Sequence, residues 1–295
     1  MKFTHKIIAA FLLLLCASAH SQQEGVITHY MYHMNVYNPA YVGVDGETVV
    51  ATTFRQQWTG IKDAPSAEAV SFGTSLGANV GLGISVYNSN TFVESQTFTG
   101  VDFSYRLQLS EMTDLYLGLK AGGNFYSVNT GGLETYNVMS DPNIASISNF
   151  NPNVGAGVLL KGMDWYAAVS VPRILSTERA DNDNGIVTAA TARPHLYATA
   201  GYDFVLDAGS DLLLRPSAMA RYVEGAPFSA DLNTMLSFGG DFEIGGSYRT
   251  DAAFAGLVNL KIKKRLMIGY AYEVSTRSEL ASARNTNEFL LRFLF

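Results

Sequence analysis

The sequence predicts an all-β chain: a transmembrane antiparallel β-barrel of about 14 strands, with an irregular N-terminal segment ahead of it. Three observations predict this fold: period-two alternation along most of the chain, long and short connections that alternate between the strands, and an aromatic final strand. Alternation of this kind gives every strand one face for lipid and one for an interior, which is the pattern of an outer-membrane barrel.

The alternation is clearest in four stretches. Val101, Phe103, Tyr105, Leu107 and Leu109 interleave with Asp102, Ser104, Arg106 and Gln108, and Leu115, Leu117, Leu119 and Ala121 with Tyr116, Gly118, Lys120 and Gly122. Phe242, Ile244, Gly246 and Tyr248 interleave with Glu243, Gly245, Ser247 and Arg249, and Leu266, Ile268, Tyr270 and Tyr272 with Met267, Gly269, Ala271 and Glu273. A soluble sandwich also alternates, but it rarely sets Arg, Lys, Asp and Glu in the middle of so many strands. The segments fall near 47–57, 68–76, 79–89, 95–109, 113–128, 153–161, 164–171, 194–206, 211–222, 228–238, 240–249, 252–262, 264–274 and 286–295.

Connections after odd-numbered segments are the long ones: 58–67, 129–152, 172–193 and 275–285. Those after even-numbered segments are tight, such as Gly77-Ala78, Gly162-Met163 and Lys263. With both termini periplasmic, the long connections face the cell exterior, as outer-membrane barrels require. The final strand places Phe289, Leu291, Phe293 and Phe295 on one face, where a soluble edge strand would carry blunting charge.

Ahead of the barrel (47–295) the chain divides in two. Residues 1–21 read as a signal peptide: Lys2 and Lys6, an apolar run over residues 7–16, then Ala17-Ser18-Ala19, with cleavage after Ala19 or Ser21. That run is too short to span a bilayer as a helix. A lipoprotein signal using Cys16 is the weaker reading, because Leu15 before it is bulky. Cys16 is the only cysteine, so the mature chain has no disulfide, zinc-thiolate site or thiol nucleophile. Residues 22–46 are irregular and too long for a simple tail; they are expected to fold into the lumen as a partial plug. The formal net charge of −6 argues against nucleic acid as a partner.

The candidate site residues lie in two motifs. Tyr30, Asn38, Pro39, Ala40, Tyr41 and Gly43 precede the first strand; Arg55, Gln57, Trp58, Gly60 and Pro65 end it and open the first outer loop. The first motif could dock a component from the periplasm, but more simply it fixes the path into the first strand, since Pro39 restricts Asn38 and Gly43 permits a tight bend. The second could contact a partner or order its loop. More simply, Trp58 sits in the interfacial belt while Gly60 and Pro65 shape the turn.

Tyr30-Met31, Asn38-Pro39-Ala40-Tyr41-Val42-Gly43, Arg55-Gln56-Gln57-Trp58-Thr59-Gly60, Ala64-Pro65 and Gly81-Leu82-Gly83 resemble, in order and spacing, the opening of the PorP/SprF family. The specific resemblance covers about residues 28–90; later strands agree in pattern. It implies an outer-membrane component of the type IX secretion and gliding apparatus of Bacteroidota. Such a component helps export, or anchors, a secreted or adhesin protein with a type IX sorting domain, alongside other secretion-system components. A passive diffusion channel or hydrophobic-solute transporter is the alternative.

Catalysis, metal and cofactor chemistry find no foothold in the sequence. His29 and His33 are four apart, but no third ligand accompanies them. His195 opens a strand after Pro194, a rim position and not a catalytic cluster. Asp102, Arg106, Lys120, Arg215, Arg221, Glu243, Arg249, Lys261 and Arg292 fall on interior faces with mixed sign; a diffusion pore could use them for selectivity, but they are expected to pair across the lumen and close it. Leu133, Tyr136, Val138, Ile144, Ile147, Phe150 and Ile186 place apolar groups in outer loops, which suggests packing over the mouth or a protein interface.

Overall fold

A strand that alternates apolar with small or charged residues satisfies its backbone in a membrane only if every edge is paired, so the sheet must close. The computed structural model describes residues 27–129, 147–178, 191–250, 253–276 and 285–295. The strands are β1 (Val49–Gln57), β2 (Ser66–Leu76), β3 (Val80–Thr91), β4 (Glu94–Ser110), β5 (Thr113–Val128), β6 (Ile147–Lys161) and β7 (Trp165–Val171). They continue with β8 (Thr177–Glu178), β9 (Thr191–Ala192), β10 (His195–Tyr202), β11 (Phe204–Asp207), β12 (Leu212–Val223) and β13 (Ser229–Phe238). The last four are β14 (Phe242–Arg249), β15 (Ala253–Ile262), β16 (Leu266–Ser275) and β17 (Asn285–Leu294).

Each barrel strand pairs antiparallel with its neighbour in sequence, and β1 pairs β17 from Val49↔Leu294 to Gln57↔Thr286, which closes the wall. β8 and β9 form a separate ribbon. β10 and β11 are two halves of one strand, both paired with β12, so the barrel has 14 strands. Asp203 interrupts that strand opposite Arg215-Pro216 of β12. Pro216 has no N–H to give the ladder, and Arg215 Nε instead donates to Asp203 Oδ1 at 3.1 Å.

The fourteen segments read from alternation all reappear as barrel strands, with two differences. β6 begins at Ile147, so Ile147 and Phe150 belong to wall and not to loop. Asn149-Phe150-Asn151-Pro152-Asn153 reads locally as a turn; its pairing with the outer half of β5, from Val128↔Ile147 onward, overrides that preference. The connection from β3 to β4 is also a two-residue turn at Phe92-Val93, although it lies at the end where the other connections are longer. Residues 1–26, and with them the signal-peptide expectation, lie outside the described residues, as do Leu133, Tyr136, Val138, Ile144 and Ile186.

Outward faces carry the large apolar side chains, among them Phe72, Ile84, Phe103, Leu119, Val158, Ile244, Ile268 and Leu291, all exposed as a lipid-facing band demands. Aromatic pairs such as Tyr248–Phe254 and Phe293–Phe295 mark its two margins.

The residues before β1 form short helical turns, Tyr30–Tyr32, Met34–Tyr37, Pro39–Tyr41 and Val44–Gly46. Their side chains meet inward-facing residues all around the wall: Tyr30, Met34 and Tyr37 cluster with Tyr197 and Met219, and Ala40 with Tyr116, Leu159 and Ala168. The chain runs from the end with the long loops, where Thr28 meets the outer parts of β1, β16 and β17, to the end with the tight turns, where Val42 meets Ser104.

Candidate functional site

The densest polar cluster joins that segment to the wall. Arg55 on β1 faces inward directly opposite Glu288 on β17. Its guanidinium reaches Glu288 at 3.2 Å, Glu273 of β16 at 2.6 Å and the Thr28 hydroxyl at 2.9 Å, with the side chain 1 % exposed. Arg249 on β14 continues the chain of charges, paired with Asp231 on β13 and with Glu273 at 3.3 Å. Ala253 and Ala255 on the intervening β15 are small enough for Arg249 to reach over them.

Glu288 is the point where the segment is tied down. It accepts from the backbone N–H of Thr28 and of His29, each at 2.8 Å, and from His29 Nδ1 at 2.8 Å. A carboxylate that collects this many donors satisfies most of its lone pairs without water, which is what a buried charge requires. His29 Nε2 meets Asn259 Oδ1 at 3.1 Å. His33 turns to another part of the wall, between Thr53 on β1 at 2.8 Å and Ser71 on β2 at 3.2 Å. Burial among neutral groups pulls its imidazole pKa down to about 4, only partly countered by Glu288. The two histidines therefore serve separate hydrogen-bond sets and do not face a common point.

The first motif is explained residue by residue. Tyr30 is fully buried, its hydroxyl 3.1 Å from Ser217. Asn38 caps the turn that begins at Pro39, accepting from Ala40 N at 2.9 Å, and donates to Val158 O at 3.2 Å. Tyr41 packs edge-on against Tyr166, and its hydroxyl meets Thr199 at 3.3 Å. Gly43 has φ +69°, and a Cβ there would also strike Gly81 and Thr74. Gly81 and Gly83 make room for Val42, and Gly118 for Ala40: a Cβ at any of them would occupy the space of the segment. Replacing Asn38 with alanine should destabilise the folded protein by about 1–3 kcal/mol, read from urea unfolding. Asn38→Asp, which keeps the cap but buries a carboxylate oxygen against the Val158 carbonyl, should be at least as destabilising; an alanine variant as stable as the parent would remove Asn38 from this role.

The second motif divides. Arg55 belongs to the interior network, whereas Gln57, Trp58, Gly60 and Pro65 stay at the outer end of β1. Gln57 N donates to Pro65 O at 2.9 Å, Trp58 has φ +48° and Gly60 φ +99°, and Thr59 accepts from Asn287 at 2.6 Å. Sequence reasoning did not single out Thr28, Asp231, Glu273 or Glu288. The three acids do carry a signal, inward positions near the outer ends of the last strands, with Glu288 in register with Arg55 and Asp231 with Arg249; Thr28 carries none.

The remaining interior charges pair mostly with neighbours on adjacent strands and not across the lumen. Lys120 meets Asp102 at 2.8 Å directly across β4–β5, and Arg106 meets Asp114 at 2.9 Å. Arg215 bridges Asp203 and Glu243, each at 3.1 Å, and Arg292 reaches Glu47 at 3.3 Å. Below the segment, a cavity of about 400 Å³ opens at the tight-turn end, lined by Met31, Tyr41, Trp165, Tyr166, Arg215 and Arg292 among others. Among the described residues no group of three or more His, Cys, Asp or Glu is placed to hold a metal. His195 lies at the start of β10, 3.4 Å from the Tyr197 hydroxyl.

A closed 14-stranded antiparallel sheet with a lipid-facing exterior defines an outer-membrane β-barrel. The fold is similar to that of the Acinetobacter baumannii outer membrane protein Omp33, at 11 % identity and TM-score 0.50, covering 86 % of this chain and all of the other. It is also similar to the CymD monoaromatic hydrocarbon channel, at 10 % identity and TM-score 0.54, covering 88 % and 91 %. No curated protein matches the chain in sequence. The chain matches the family described as type IX secretion system membrane protein PorP/SprF over residues 19–293, and it belongs to that family.

Proposed function

We propose that this protein is a non-catalytic scaffold of the type IX apparatus whose N-terminal segment plugs the lumen, and that it serves a secreted or surface-anchored protein at its outer mouth. One observation carries the reading: residues 27–44 are buried or half-buried and bonded to strands around the whole circumference, from Glu288 and Thr53 to Ser71, Ser104, Val158, Thr199 and Ser217. A segment held on all sides supports a closed lumen over an open diffusion pore. The partner is a polypeptide with a type IX sorting domain, and membrane lipid surrounds the wall.

Planar-bilayer recordings test the plug. The intact protein should give no large stable conductance, and a variant lacking residues 27–41 should open one. A large stable pore from the intact protein would overturn the reading in favour of a passive channel. In cells, deletion of the gene should remove one or more sorting-domain proteins from the surface or medium, measured by mass spectrometry; an unchanged set would overturn the partner role.

A further inference from the structure

The strands of this barrel do not end at one height. Followed from Gln57 on β1 through β17, β16, β15, β14, β13, β12, β10 and β7, residues directly opposite one another arrive at Lys161, the periplasmic end of β6. Followed the other way from Gln56 through β2, β3, β4 and β5, they arrive at Ser148, near its outer end. The rows therefore climb toward the cell exterior from β1 to β6, by about 3 Å per strand for strands spaced about 4.8 Å apart and tilted by roughly 40°.

Phe54 on β1 and Phe289 on β17 lie side by side on the lipid-facing side, and the next outward residue of β1 is Gln56, so the pair belongs to the outer aromatic margin of the hydrocarbon band. In the row of Phe54, four and five strands up the climb, stand Phe125 on β5 and Phe150 on β6. That sets them about 12 Å and 15 Å beyond the margin, on a face that looks sideways from the barrel. They are 54 % and 55 % exposed, and Thr97, Thr99, Gly123 and Pro152 separate them from the apolar band below. Hydrocarbon does not reach them and the lumen lies behind them.

The Phe150 ring lies over Gly123, where a Cβ would strike it. Covering the glycine uses one face of the ring and leaves the other open. Phe125 tilts beside it, with ring centres 4.7 Å apart and planes at 44°. Hydroxyl and amide side chains surround the pair: Asn88 and Thr97 in the same row, Ser127 and Ser148 in the next. Thr97 donates to Asn88 Oδ1 at 3.0 Å, which leaves the Asn88 N–H groups to a further acceptor. Between β1 and β6 neither row holds a cation, and Glu68 is their one acid.

We propose that Phe125 and Phe150 form a stacking platform for the neutral sugar rings of the glycolipid in the surrounding outer leaflet. The height and sideways aspect of the pair put it among the saccharides that rise from that leaflet, beyond its acyl chains. An open aromatic face fits the apolar C–H face of a sugar ring, while Asn88, Thr97, Ser127 and Ser148 offer hydrogen bonds to its hydroxyls. The want of a cation, with Glu68 in the same row, disfavours the phosphate groups of the glycolipid. Nothing in this inference depends on the scaffold reading.

The test holds the full mature protein, labelled with 4-fluorophenylalanine, in phosphatidylcholine nanodiscs. It is titrated with the phosphate-free polysaccharide released from lipopolysaccharide of the bacterium that makes the protein, and in a second arm lipid A is built into the disc. The fluorine resonances of Phe125 and Phe150 should shift saturably with the polysaccharide and not with lipid A. Phe150→Leu, which still covers Gly123 but offers no flat face, and Phe125→Ala should each weaken binding about tenfold. Phe254→Ala, at the margin itself, should leave it unchanged. Heat-modifiable gel mobility checks folding, and Phe125→Ala, which leaves Gly123 covered, decides the matter if Phe150→Leu does not fold. No shift with the polysaccharide, a shift with lipid A in its place, or full binding in both variants would overturn the proposal. So would variants that keep the polysaccharide but lose a sorting-domain protein from the cell surface, which would assign the pair to a protein partner.

Discussion

Replacing Arg55 with alanine destabilises the folded barrel by about 3–5 kcal/mol, because Glu273 and Glu288 then remain buried with too little positive charge beside them. Among the described residues nothing substitutes for it: Arg249 is committed to Asp231 and Glu273, and Glu288 keeps only His29 and two backbone donors. The urea midpoint of folded, heat-modifiable protein in liposomes measures the loss. Arg55→Lys should recover part of it, since one ammonium cannot span two carboxylates as the planar fork does. The double variant Arg55→Ala/Glu288→Gln should be less damaged than the two single effects summed, because the second change removes a charge the first has stranded. An alanine variant with an unchanged midpoint would mean that the network does not hold the segment.

Adding a side chain at Gly81 or Gly118 forces the N-terminal segment off the wall. Gly81→Val and Gly118→Val place carbon where the Val42 carbonyl and the Ala40 backbone now lie. Backbone cannot step aside as a flexible side-chain tip can, so each variant should lose about 1–3 kcal/mol or more, or release the segment. Protease added to outer-membrane vesicles should then cut between residues 27 and 46 in the variants and spare the parent. Gly256→Ala is the control, since a Cβ there meets nothing within 4 Å. Equal protection of all four proteins would sink the prediction.

Gly81 also marks where sequence reading stops. Alternation placed every barrel strand, because the inside–outside period is local and a one-residue slip would turn a whole strand inside out. The β6 start is not legible locally, because the Asn-Pro cluster at 149–153 is a turn signal that only the β5 partner overrides. Motifs placed Tyr30, Asn38, Gly43 and Arg55 as residues that matter, yet they could not say what for. Gly81-Leu82-Gly83 looked like part of a family pattern, and its reason, room for Val42, lies 39 residues away at the other side of a contact. Arg55 looked like the start of an outer-loop element, and its partners come from the last two strands of the chain.

The sequence by itself determined the class of protein: an aromatic-rich alternating chain with asymmetric connections has no other way to satisfy its backbone in a membrane than to close into a barrel. Only the tertiary structure decided what lies inside it. The meeting of Thr28 and His29 with Arg55, Glu273 and Glu288 depends on barrel closure, which brings the first strand beside the last across more than 200 residues. That juxtaposition has no local signature, because each of those side chains looks, in its own strand, like an ordinary inward-facing charge.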